Sequence, residues 1–226
     1  KGGKGKVKTD KITNGTADYR EKPSLQHSNT PSPQSSSILR KCRESIEVKE
    51  QFFNDHADQL VEVSRAMAER FRQGRRLWVI GNGGSACDAQ HVAVEFIHPI
   101  IEKRRPLPAF DLVSQVPVLT AIANDKDFTK VFVDQIELWG KPDDMVLALT
   151  TSGQSPNLIY ALQTARKKHM LTLAFSGKDG GRIADAAQYC FIVPSFTIHR
   201  IQECHVTLLH ILWDLIHVEL GEEDVL

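Results

Sequence analysis

His91 and Glu95 stand one helical turn apart, so an imidazole and a carboxylate point the same way from one helix. The helix that carries them opens on Gly81-Asn82-Gly83-Gly84-Ser85. Glycines this dense make a tight turn with exposed backbone N–H groups, and the helix dipole adds positive potential there. A phosphate or carboxylate is favoured at such a corner. A second turn of related character is Thr150-Thr151-Ser152-Gly153-Gln154-Ser155, followed by Pro156 in the first turn of a helix. Its hydroxyls and amides suit a phosphate held by neutral donors. Either turn alone serves equally well to end a strand and cap a helix; together they favour a phosphate cradle beside a His/Glu pair.

The elements that must position these groups alternate. Leu77-Trp78-Val79-Ile80 and Met145 to Thr150 read as buried strands, each running into one of the two turns. Leu171 to Phe175 is a third strand, opening onto Ser176-Gly177-Lys178-Asp179-Gly180-Gly181, and Tyr189 to Val193 is the last. Leu107 to Val113 reads as a strand with an irregular start at Pro106 and Pro108. Helices are expected at Val118 to Ala123, Val131 to Trp139, from Pro156, and over Ile201 to Leu220, the last apolar nearly all round. Strands separated by helices imply a parallel sheet covered on both faces, with ligands outside the carboxyl ends of the strands, where the three turns collect. Ahead of it, apolar stripes from Ile38 to Met67 predict a helical hairpin broken near Asn54-Asp55 or before it. Residues 1–37, rich in Lys, Gly, Ser, Pro and Gln, are expected to be a disordered tail or linker, leaving 38–226 as the folded domain.

Lys+Arg and Asp+Glu both number 28, which removes the basic excess expected of a nucleic-acid binder. No apolar run reaches the roughly 18 residues of a membrane span. Cys42, Cys87, Cys190 and Cys204 form no CxxC pair and read as the reduced thiols of a cytoplasmic protein. Gly81 to Ala86 fits a dinucleotide fingerprint, but Asp111 lies about 30 residues on rather than about 20, and that reading leaves the second turn unexplained.

The three turns, with Arg200-Ile201-Gln202-Glu203-x-His205, resemble the sugar isomerase (SIS) fold and, within it, the phosphoheptose isomerase family. The resemblance spans roughly Ile38 to Leu220. It implies a flavodoxin-like three-layer αβα sandwich with a five-stranded parallel sheet, a homotetramer, and one divalent metal per subunit, usually zinc. The implied activity interconverts sedoheptulose 7-phosphate and D-glycero-D-manno-heptose 7-phosphate through an enediol. By the same resemblance His91, Glu95, Gln202 and His210 hold the metal, with Glu95 and His210 as catalytic acid and base. Ser85, Thr150, Thr151, Ser152 and Ser155 bind phosphate; Asn82, Gly83, Asn124, Asp125, Glu95 and Gln202 are implied further substrate contacts. Gln202 and His210, eight apart and about 80° around a helix, can converge on a ligand between helices. His205 is left as structural. Two positions depart from the family pattern: His199 stands where Asp is usual, and Phe96-Ile97-His98-Pro99 replaces a run with Gly-Arg. Non-catalytic relatives, among them a protein that associates with the bacterial replication initiator, keep the fold without the metal quartet, so the quartet favours the enzyme.

Overall fold

The computed structural model describes residues 32–101 and 103–224. Five strands, β1 (Leu77–Gly81), β2 (Ala109–Asp111), β3 (Met145–Leu149), β4 (Leu171–Gly177) and β5 (Tyr189–Val193), form one sheet in the order β2-β1-β3-β4-β5. Every pairing is parallel. Such a sheet must be covered on both faces, and β1, β3 and β4 are buried along their whole length. Helices α1 (Pro33–Arg72), α2 (Gly84–Ile97) and α7 (Ile198–Glu219) pack together on one face. On the other lie α3 (Val116–Asp125), a 3-10 turn (Phe128–Lys130), α4 (Val133–Trp139), α5 (Pro156–Lys167) and α6 (Ile183–Ala186). The expected three-layer sandwich is borne out.

Strand order reverses between β1 and β3, which leave the sheet level with one another, Gly81 beside Leu149. Their following turns therefore sit side by side at the point where α/β sheets open a crevice. At the opposite ends of the same strands, the buried Asp144 carboxylate accepts from Arg76 N (2.9 Å), Trp78 Nε1 (3.1 Å) and Lys141 N (3.1 Å). That clamp fixes the register of β1 against β3, and so the relative height of the two turns.

The expected hairpin is instead one helix of 40 residues, about 60 Å long at 1.5 Å per residue. Asn54 and Asp55 are exposed within it and cost only about 0.7 kcal/mol each as helix formers. No Gly or Pro interrupts the run, and Phe52 and Leu60 bury on either side of the pair, so packing overrides propensity. The helix starts at Pro33 because Ser32 caps it, its hydroxyl accepting from Ser35 N at 3.1 Å, with Pro at the first helical position. Residues 1–31 of the expected tail lie outside the described residues; Pro33 to Ser37 belong to α1. β2 is shorter than read, since the Asp111 carboxylate turns back onto Val113 N and Ser114 N and ends the strand. Helix α6, four residues long, has no periodicity to announce it.

Candidate active site

The first turn closes tightly because Gly83 adopts a positive φ of 55°. At Gly84 a Cβ would lie 2.6 Å from the Gln202 amide nitrogen, so glycine there lets α7 lay Gln202 against the start of α2. The second turn is braced from inside: Thr150 Oγ1 accepts from Gly153 N (3.2 Å) and Ser152 N (3.4 Å). Ser155 is the N-cap of α5 yet makes no cap hydrogen bond with its side chain, which leaves its hydroxyl for a ligand. Between the turns is a cleft of about 250 Å³. Asn82, Gly84 and Ser85 line it from the first turn; Thr150, Thr151, Ser152 and Ser155 from the second; Ile198 and Gln202 from α7. None of these carries a charge. The α2 and α5 N-termini both face the cleft, so an anion there meets helix dipoles, N–H groups and hydroxyls.

The third turn does not line this cleft. Gly153, at φ 64°, is so close beneath it that a Cβ would fall 1.9 Å from Gly180 O. Ser176 Oγ in turn donates to Gly180 O at 3.0 Å. The expectation that all three turns collect around ligand is corrected: two hold the cleft and the third backs the second. A larger concavity of about 460 Å³ lies beyond β2, among Trp78, Phe110, Leu138 and Trp139. It is mostly apolar, with Asp111 and Asp134 in its lining, and holds neither glycine turn nor hydroxyl cluster, so an anion is better served by the smaller cleft.

Helices α2 and α7 also bring His91, Glu95 and His210 together, with one donor atom of each within 4.8 Å of the others. His91 Nε2 is 3.2 Å from Glu95 Oε1 and 3.3 Å from His210 Nε2. Two Nε2 atoms facing each other beside a carboxylate share too few protons to satisfy all three. A divalent cation accepted by two neutral imidazoles and an oxygen fits this donor set. Partial burial, and then the neighbouring His91, lower the His210 pKa from the usual imidazole value, with Glu95 pulling the other way. The neutral ring that a metal requires is thus favoured.

Of the residues singled out in the sequence, Asn124 and Asp125 are not brought to the cleft. They lie exposed at the end of α3, bonded to each other at 2.8 Å. Gly83 is exposed at the N-cap of α2. His199 is exposed in the first turn of α7, whereas Phe96 is buried and stacks on Phe71 with ring centres 5.6 Å apart. Sequence reasoning missed Asn157, which is 2% exposed and joins Asn82 in a reciprocal pair of amide hydrogen bonds (3.0 and 2.9 Å).

His205 is wholly buried, its Nε2 3.1 Å from Ser176 O and its Nδ1 without a partner among the described residues. Burial drives its pKa down to about 4, against a smaller upward pull from the Ser176 carbonyl. With the folded value below the unfolded 6.5, the stability it contributes is present above pH 6.5 and lost as pH falls towards 4. The whole span is worth roughly 3 kcal/mol. The thermal midpoint is expected to fall more steeply between pH 6.5 and 4.5 for the wild type than for His205→Gln; parallel curves would remove His205 as the cause.

A family model described as the SIS domain matches residues 42–177. The phosphoheptose isomerase of Aquifex aeolicus is 44% identical over 174 residues, covering 77% of this chain and 91% of that protein. That of Thermodesulfovibrio yellowstonii is 40% identical over 185 residues, covering 82% and 92%. Among solved structures, a phosphoheptose isomerase from Francisella tularensis superposes with a TM-score of 0.79 at 30% identity, over 83% of this chain and 100% of the other. One from Neisseria gonorrhoeae gives 0.76 at 32%, over 81% and 98%.

Proposed function

The chain belongs to the SIS domain family, among its phosphoheptose isomerases, and from that membership we propose that it interconverts sedoheptulose 7-phosphate and D-glycero-D-manno-heptose 7-phosphate. The observation that carries the reading is the meeting of His91, Glu95 and His210 on α2 and α7, helices that also give Ser85 and Gln202 to the lining of the hydroxyl-rich, anion-accepting cleft. A module that only bound phosphosugars would need the cleft and not the cluster.

The phosphate lies in the cleft against the hydroxyls of Ser85, Thr151, Ser152 and Ser155 and the N-termini of α2 and α5. Anchored at that end, the sugar presents its carbonyl end towards His91, Glu95 and His210. Glu95 takes the proton from the carbon next to the carbonyl and returns it to the neighbouring carbon. One of its oxygens faces His91, which leaves the other for the carbon acid. His210 carries the hydroxyl proton between the two oxygens of the enediol on the ring nitrogen that the metal does not take. His91, Glu95, Gln202 and His210 would hold zinc or a similar divalent ion, which when bound would supply positive charge to stabilise the developing enediolate. Exposed apolar side chains on α1 (Ile38, Leu39, Ile46) and on α4 (Leu138, Trp139) support a homo-oligomer, a tetramer by family likeness. Among the described residues no helix is long and apolar enough to cross a membrane; a cytoplasmic location follows from the family likeness.

The test is incubation of the metal-loaded protein with a panel of ketose phosphates, following aldose signals by NMR. Conversion of the seven-carbon ketose phosphate in preference to shorter ones is expected. No conversion of any of them would overturn the assignment.

A further inference from the structure

Asn82 and Asn157 follow different strands, 75 residues apart, and each carboxamide both donates to and accepts from the other. The pair therefore spans the gap between β1 and β3, joining the two turns that form the cleft. Asn82 lines the cleft, whereas Asn157, 2% exposed in the first turn of α5, does not. Two carboxamides paired this way have a degeneracy: turning both by 180° restores both hydrogen bonds. A third contact lifts it. Leu158 N donates to Asn157 Oδ1 at 3.1 Å, a bond that only an oxygen can accept. The Leu158 backbone thus orients Asn157, and Asn157 orients Asn82. One N–H of Asn82 Nδ2 and one lone pair of its Oδ1 remain to meet whatever enters the cleft.

We infer that Asn157 is a positioning residue for substrate binding: it holds the Asn82 carboxamide in one of its two orientations and so fixes where the cleft offers a donor and where an acceptor. For its ligand this rests on the sugar-phosphate reading; for the orientation itself it does not. Burial strengthens the device, because a flipped Asn157 would set an N–H against the Leu158 N–H in a place that water does not reach.

Asn157→Asp tests it with nearly unchanged volume. The carboxylate still accepts from Asn82 Nδ2 and Leu158 N, but it can no longer donate to Asn82 Oδ1, and two oxygens now oppose each other. The KM for the ketose phosphate is expected to rise about tenfold, the equivalent of about 1.4 kcal/mol, with kcat within about threefold. In an Asn82→Ala background the same change should add less than about twofold, since Asn157 acts only through Asn82. Asn157→Ala is read through the same cycle, so that poor folding of the Asp variant does not remove the test. A second readout needs no substrate. In ¹⁵N-labelled protein the Asn82 side-chain NH₂ signals should show one proton shifted and slow to exchange, and Asn157→Ala, which removes the accepting oxygen, should abolish that difference. Additive effects on KM, or an unaltered Asn82 NH₂ signal in Asn157→Ala, would overturn the inference. A wild type that turns over no sugar phosphate while showing the protected NH₂ proton would overturn the substrate and leave the orientation standing.

Discussion

Glu95→Gln is expected to lower turnover of the seven-carbon sugar phosphate by at least about a hundredfold, the lower end for loss of a general base. The substitution keeps the side chain's size and removes its basicity. Substrate affinity is expected to stay within a few fold, because Ser85, Thr151, Ser152 and Ser155 lie in a cleft that the change does not touch. Glu95 Oε1 is 3.2 Å from His91 Nε2, inside the candidate metal cluster, so the variant can also lose metal. Metal content is therefore measured on the same sample as the rate. In heavy water the wild type is expected to wash deuterium into the transferred position, since the Glu95 side chain is 23% exposed and can exchange its proton. A metal-loaded Glu95→Gln enzyme turning over near the wild-type rate would end the base assignment.

His91→Ala has the second large effect. His91 is the middle member of the cluster, its Nε2 within 3.2 Å of Glu95 and 3.3 Å of His210. Its removal takes away one imidazole outright and leaves the other two groups without their shared neighbour. Outer-shell partners of metal ligands are worth about 10–100-fold in affinity, and a ligand is worth more. The wild type is expected to carry about one divalent ion per chain and His91→Ala essentially none after dialysis against chelator, with turnover falling to background. Elemental analysis of both proteins decides it. A wild type that is empty and still fully active would sink the metal site.

The features legible in the sequence are those whose signal is local. Leu77 to Ile80 and Met145 to Leu149 are short apolar runs ending in glycine or hydroxyl turns, and the sheet follows from them. His91 and Glu95 share a helix face by spacing alone, and both turn up in the cluster. Long-range relations were not legible. The part played by Asn157 depends on a residue 75 positions away, and nothing beside it in the chain marks it out. The support that Gly180 gives Gly153 is a backbone-to-backbone approach across two loops, which no residue pattern encodes. The continuity of α1 through Asn54 and Asp55 was lost for a related reason: the burial of Phe52 and Leu60 that sustains it is tertiary. Asn124 and Asp125 came from family likeness, and a single chain leaves them exposed, away from the cleft.

The helices that make the candidate site also set the order in which it can be made. His91 and His210 are 119 residues apart in the chain. At translation rates of roughly 5–20 residues per second, the second imidazole follows the first by roughly 6 to 24 s. Through that interval the nascent chain has α2, with its histidine and carboxylate, but only part of the donor set. The buried faces of α1 and β5 wait for the same helix, since both pack against α7. An ion that needs both imidazoles and the covering of α1 and β5 thus wait on the same helix, and a chain truncated before α7 has neither His210 nor that cover.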